Sequence, residues 1–112
     1  MKLTIDRSRW LRGEGTDSSF LQRPTDQKQC CVGMYLASLG VEEEKLDGVL
    51  SAQGVKDLPE GAGWLLTSCL SSSAADELYS VNDDEDIRES ERESRVAVLF
   101  KVAGIDVEFT GP

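Results

Sequence analysis

Histidine is absent from this chain of 112 residues, and that absence removes a large part of enzyme chemistry. No Ser-His-Asp triad and no Cys-His pair can be assembled. Every zinc site built on imidazole is excluded as well. Cysteine is scarce and odd in number: Cys30, Cys31 and Cys69. Three thiols cannot complete a Cys₄ site alone. Small secreted domains carry even, spaced cysteines, and a bond between adjacent Cys30 and Cys31 would close a strained ring. Free thiols in a reducing, cytoplasmic compartment are the expectation. No apolar run approaches the roughly 18 residues that span a bilayer, and the start, residues 1–7, turns polar too soon for a signal peptide. Aromatics are only 6% of the residues. That supports one modest core, so residues 1–112 are read as a single domain.

Acid is what the sequence has in excess. There are 21 acidic and 12 basic residues, a net charge of −9, and a pI near 4.4. This balance opposes direct nucleic-acid binding and suits attraction to a basic protein surface. The charge is also divided. Residues 1–28 carry a net +2 and residues 29–112 a net −11. Such a dipolar arrangement could place the basic start of one copy on the acidic face of another, as a homodimer.

Residues 2–6 alternate polar and apolar and read as a strand with Leu3 and Ile5 on one face. Gly13–Asp17 is a turn by composition. Residues 19–23 read as a second short strand stopped by Pro24, giving an antiparallel hairpin between 2–12 and 18–23. Residues 29–39 are apolar on most sides and read as the central buried helix, with Asp26 as N-cap and Gly40 just past its end. Gly33 lowers helix propensity there, which marks a close approach to the sheet. A helical turn begins at Glu42–Leu46. Residues 48–63 hold four glycines and a proline and carry no regular element. Trp64, Leu65 and Leu66 are expected to anchor that stretch to the core.

Ser71–Ser73 reads as the cap of a helix over 74–79, broken by Asn82–Asp86. Asp86 with Glu89 fits an Asp-x-x-Glu capping box for a last helix over 87–103, closed by Gly104. Its apolar stripe is Val96, Leu99, Phe100 and Ala103. Residues 105–109 alternate strictly and read as a final strand with Ile105, Val107 and Phe109 inward. The expected fold is α+β: a short antiparallel sheet, made of the N-terminal hairpin and the C-terminal strand, packed against three to four helices.

Four features compete as sites. The first is the acidic stretch 83–93, with Asp83, Asp84, Glu85, Asp86, Glu89 and Glu93. Its plain account is a solvated, dipole-favoured helix start; its functional account is a protein-binding surface that imitates phosphates. A calcium loop would set Asn82, Asp84, Asp86 and Glu93 at positions 1, 3, 5 and 12, but position 6, where a glycine makes the turn, is Ile87. The second is the basic start, where Arg7, Arg9 and Arg12 flank Trp10. An arginine beside an exposed aromatic can hold phosphates or stack on a base. Pairing of these arginines with carboxylates is the plainer account. The third is Cys30-Cys31. A helix N-terminus and Lys28 would lower a thiol pKa, but no partner completes a catalytic site, so core packing is favoured. Cys69 could join them at a metal only with a carboxylate as fourth ligand. The fourth is glycine: Gly13-x-Gly15 and Gly61-x-Gly63 are too short for a nucleotide-binding fingerprint. No enzymatic activity, cofactor or metal is expected.

Several segments together carry a resemblance. They are Asp6-Arg7-Ser8-Arg9-Trp10-Leu11-Arg12-Gly13-Glu14, Ser19-Phe20-Leu21, Cys30-Cys31-Val32-Gly33, Val81-Asn82-Asp83-Asp84 with Glu91-Arg92-Glu93, and Ala103-Gly104-Ile105-Asp106-Val107-Glu108-Phe109. Their order resembles a group of small proteins encoded in bacteriophage genomes and prophages. It covers both ends of the sequence and leaves roughly 42–76 unmatched. The group assigns no catalytic residues. The resemblance implies an accessory protein that acts in the host cytoplasm by binding and inhibiting a host protein, such as the anti-CRISPR inhibitors of a nucleic-acid-binding component. The alternative is a small self-associating scaffold or regulator.

Overall fold

The computed structural model describes residues 1–66, 68, 69 and 72–112, with residues 68, 69 and 72 as backbone only. It is an α+β domain whose sheet departs from expectation. Strand β1 (Lys2–Asp6) pairs with the last strand, Asp106–Thr110, and the two run parallel, with Leu3 opposite Val107 and Ile5 opposite Phe109. The antiparallel hairpin does not form. Residues Gly15–Ser18 make a 3₁₀ turn instead, and residues 19–23 run on irregularly, touching Asp47 through a single bridge at Gln22. The physical reason is the connection. A hairpin enforces antiparallel pairing through a tight turn, whereas strands joined through intervening helices are free to run parallel.

Helix α1 (Cys31–Ser38) lies at the centre, with Cys31 to Leu36 all buried. It packs on β1. Its N-cap is Cys30, not Asp26: the Cys30 sulfur accepts from the Gly33 N–H at 3.4 Å. The helix starts late because residues 9–11 and 29 are stitched together in extended form, Gln29 N–H to Arg9 C=O at 3.0 Å and Leu11 N–H to Gln29 C=O at 2.8 Å. Gly33 does mark a close approach. A Cβ there would collide with the backbone carbonyl of Leu21. The neighbour is the irregular 19–23 segment, not a sheet.

The short helix α2 (Glu43–Leu46) inserts Leu46 into the core. The following stretch holds two 3₁₀ segments, Ala52–Gly54 and Glu60–Leu66. It is anchored as expected by Leu65, which is buried, and by Trp64, whose ring packs 5.5 Å from Tyr35 and 5.7 Å from Phe100. The Trp64 indole N–H donates to the Tyr35 hydroxyl at 2.9 Å, and that hydroxyl donates to the Gly61 C=O at 3.1 Å. Leu66 stays exposed.

Two backbone pairs, β2 (Ser68–Cys69) and β3 (Ser72–Ser73), form a small antiparallel ladder. The role expected of the Cys69 thiol lies outside the described residues. Ser73 caps helix α3 (Ala74–Asp83) in a reciprocal box: Ser73 Oγ accepts from the Asp76 N–H, and Asp76 accepts from the Ser73 N–H, both at 3.1 Å. The helix runs through Asn82 and Asp83, longer than expected. Helix α4 (Glu89–Val102) follows. Asp86 is not its cap; Arg88 holds that position without a side-chain bond. Helix α4 packs against α3 on one side and against β4 (Asp106–Thr110) on the other. One sheet face, bearing Leu3 and Ile5, is therefore buried under α1 and α4, and the other carries Lys2, Thr4, Asp106 and Glu108 to solvent. No described helix is long and apolar enough to cross a membrane.

Candidate functional site

The acidic turn between α3 and α4 meets the basic N-terminal segment directly, and a buried polar junction lies beneath them. Its hub is Asn82, which is completely buried. The Asn82 Oδ1 accepts from the Trp10 indole N–H at 2.8 Å and from the Cys31 N–H at 3.1 Å. Its amide nitrogen donates to the Leu11 C=O at 3.0 Å and to Asp83 at 2.9 Å. Its backbone carbonyl accepts from the Gly13 N–H at 2.8 Å. One of the N–H groups that every helix leaves unpaired at its N-terminus, that of Cys31, is thus satisfied by a residue of another helix.

Arg92 is the second element of the junction. It is 2% exposed. Its guanidinium donates to the Val81 C=O at 3.2 Å, to the Asp84 C=O and to Glu89. Those bonds hold the 81–89 turn from beneath. A buried arginine on an otherwise apolar stripe gives no periodicity signal: Arg92, Val96 and Phe100 are the buried positions of α4, while Ala103 is exposed. Among the described residues no buried side-chain nitrogen or oxygen lacks a partner.

The basic segment is spent on this junction too. Arg7 donates twice to Glu93, at 2.8 and 2.9 Å. That bidentate pair holds the Glu93 carboxyl below its ordinary pKa. Arg12 donates to Glu89 at 2.7 Å and lies 4.6 Å from the centre of the Trp10 ring. Arg9 reaches Glu43 at 3.3 Å. Arg23 pairs with Asp26 at 2.6 Å, which holds that carboxyl down at about 2. The plainer account of the arginines is the one found. Trp10 is buried and covered by Arg12, so it offers no face to a base. The arginines that a head-to-tail homodimer would use are engaged within one copy.

The six acidic residues singled out therefore divide. Glu89 and Glu93 belong to internal ion pairs. Asp83 is half-buried and accepts from the hydroxyls of Ser18 and Ser19, at 3.1 and 2.7 Å. Asp84 turns its carboxylate to the Asp86 N–H at 2.8 Å. Glu85 and Asp86 are exposed and, among the described residues, outside any ion pair. The serine bonds to Asp83 bring the Gly15–Ser18 turn alongside, and with it the exposed Asp17. Gly15, at φ +60°, is a position any side chain would strain, and a Cβ there would strike the Glu85 carboxylate. Asp17 thus joins the acidic edge through the fold, and no spacing in the sequence announced it.

Cys30 and Cys31 are buried, and burial pushes the Cys30 thiol up to about 12 and Cys31 upward as well. Removal from water disfavours the thiolate more than the helix N-terminus favours it. Among the described residues no cluster of three or more histidine, cysteine or carboxylate groups could hold a metal ion. No family model, no curated protein and no solved structure matches this sequence.

Proposed function

We propose that this protein is a non-enzymatic binding module that sets a fixed acidic edge, Asp17, Asp83, Asp84, Glu85 and Asp86, against a basic surface of a partner protein. The observation that carries this reading is the Arg92 anchor. It holds the Asp84 carbonyl from below, so the carboxylates above stand on a braced turn. Ordering of a loop is part of what association costs, and a braced loop has less left to lose. Each exposed carboxylate contributes little alone; a set held at fixed spacing acts together, as phosphates do along a nucleic acid. In keeping with the resemblance of its sequence to small phage proteins, the partner is a host protein that normally holds nucleic acid, and the effect is inhibition by occupation of its groove.

The test is affinity capture from bacterial lysate at low and high salt, with the native protein and with a D17K/E85K/D86K variant. The expected result is one nucleic-acid-binding protein, held by the native form at low salt, released at high salt and weakened at least about tenfold by the variant. Retention by the variant with an unchanged salt response overturns the reading.

A further inference from the structure

Helix α4 borders two surfaces that the fold leaves uncovered. The first is the outer edge of β4. Its ladder with β1 is bounded by the Asp106 N–H donating to the Met1 C=O at 2.9 Å and the Arg7 N–H donating to the Thr110 C=O at 2.8 Å. In a parallel pair that phase turns the backbone groups of residues 106, 108 and 110 toward β1. Those of Val107 and Phe109 face the opposite edge, where no strand lies among the described residues. Asp106 is matched in place by Lys101, and Glu108 by Lys2, so this edge carries no net charge to select an occupant. The second surface is a groove of about 460 Å³ between α3 and α4. Val81, Val98 and Leu99 line it, with Glu77 on the α3 wall and Arg95 on the α4 wall. Val98 is 61% exposed.

The two walls of the groove are in register. Helices α3 and α4 pack as an antiparallel pair, and the Arg92 Nε–H donates to the Val81 C=O at 3.2 Å. Residues 81 and 92 are therefore level. One helical turn further from the connecting turn, Glu77 and Arg95 stand level with each other across the groove. They are the charged residues of its lining among the described residues, one of each sign. Glu77 is in no ion pair among the described residues. Arg95 gives one N–H, on Nη2, to Glu91 at 3.0 Å, in an exposed pair. A guanidinium has five N–H donors, so Arg95 can take a second carboxylate without leaving Glu91.

We propose that this groove is the interface of a homodimer whose two-fold axis lies along it. Such an axis lays α4 of each copy over α3 of the other. It sets Glu77 on the partner's Arg95, and Arg95 on the partner's Glu77, and it covers Val81, Val98 and Leu99 of both copies. A groove with an acidic and a basic wall at one level is complemented by the same groove turned about that axis, as an isologous interface requires. A chain of net charge −9 repels its own copies over most of its surface; a groove with one charge of each sign is where a second copy approaches at least cost. On helix dimensions the face is about 20 Å by 20 Å and buries on the order of 500 Å² per copy, the low end for a specific interface. The dimer is therefore reversible, and monomers prevail when the protein is dilute. This surface shares no residue with the acidic edge at Asp17 and Asp83–Asp86.

The experiment follows the full-length protein by sedimentation equilibrium from dilute to millimolar concentration. It compares the native protein, Glu77→Arg and Arg95→Glu, each alone, with an equimolar mixture of the two variants. The native protein is expected to dimerise. Each variant alone sets like charges together at both contacts and is expected to dimerise at least about tenfold more weakly. The mixture restores opposite charges at both contacts and is expected to form a heterodimer within about threefold of the native affinity. Repair in the mixture cannot come from charges within one copy. Both substitutions are at exposed positions, and a slowly exchanging Trp10 indole N–H in each variant shows that the fold is intact. Three results overturn the proposal: a native protein that stays monomeric at millimolar concentration, a dimer left unweakened by either substitution, or a mixture that associates no better than the single variants.

Discussion

The two ends of helix α4 are built on opposite terms. At its N-terminal end, Arg92, Glu89 and Glu93 are tied to Arg12, Arg7 and the 81–86 turn, and Asn82 satisfies groups from two segments, Trp10–Leu11 and the start of α1. At its C-terminal end, Val98 and Val102 face solvent and, among the described residues, no strand pairs with the outer edge of the neighbouring β4. The charged residues that draw the eye in the sequence are for the most part consumed in closing the fold. The plain valines are what the fold leaves uncovered. A charge becomes available to a partner only after the internal cations have been served; around this turn, among the described residues, the exposed carboxylates left outside ion pairs are Asp17, Glu85 and Asp86.

The contrast between the two ends breaks most severely at the buried hub. Asn82→Ala strands the Trp10 indole N–H, the Cys31 N–H and the Leu11 C=O away from water. Each buried orphan costs about 1–3 kcal/mol, so a loss of about 3–4 kcal/mol is expected in denaturant unfolding. Arg92→Met keeps much of the apolar stem and removes the bonds to Val81, Asp84 and Glu89. It should cost about 2–3 kcal/mol and also raise amide exchange in the 83–87 turn.

Acid should loosen the same end. Arg7 holds the Glu93 carboxyl below its ordinary pKa, so this pair stabilises the fold above the unfolded carboxyl range, about 4.3. That contribution is lost as pH falls through the lower folded pKa, because the unfolded state then binds the proton more readily. Stability measured between neutral and acid pH should decline, and Glu93→Gln should make the decline shallower. At the open end, by contrast, Val98→Ser should change stability by no more than about 0.5 kcal/mol, since the valine is mostly in water already.

Much of the fold was legible because its signals are local. The alternation of Leu3 and Ile5, and of Ile105, Val107 and Phe109, marked both strands. The serine cap of α3 and the buried run after Cys31 marked two helices. The direction of strand pairing was not legible. Phe20 and Leu21 resemble a strand, but Leu21 is held in an irregular segment by the close approach of Gly33 and by its N–H bond to the Val49 C=O, 2.8 Å. Both contacts are remote in sequence. The start of α1 moved from Asp26 to Cys30 because the bridge between Trp10 and Gln29 ties the preceding residues into extended form.

The acidic site was half legible. Composition found Asp83–Asp86, and a plain count of charges could not see that Glu89 and Glu93 answer Arg12 and Arg7. Arg92 carries no hydrophobic signal although it is among the largest fully buried residues, and Asp17 is brought in only by the serine bonds to Asp83.

The most direct measurement is residue-resolved amide and indole hydrogen exchange on the free, monomeric protein. Protection should alternate along β4, with Glu108 and Thr110 slow and Val107 and Phe109 fast, while the Trp10 indole and the Cys31 amide at the other end of α4 are slow. Uniform protection along β4 in the monomer, or a Trp10 indole that exchanges as fast as an unpaired one, would contradict the contrast between a closed and an open end.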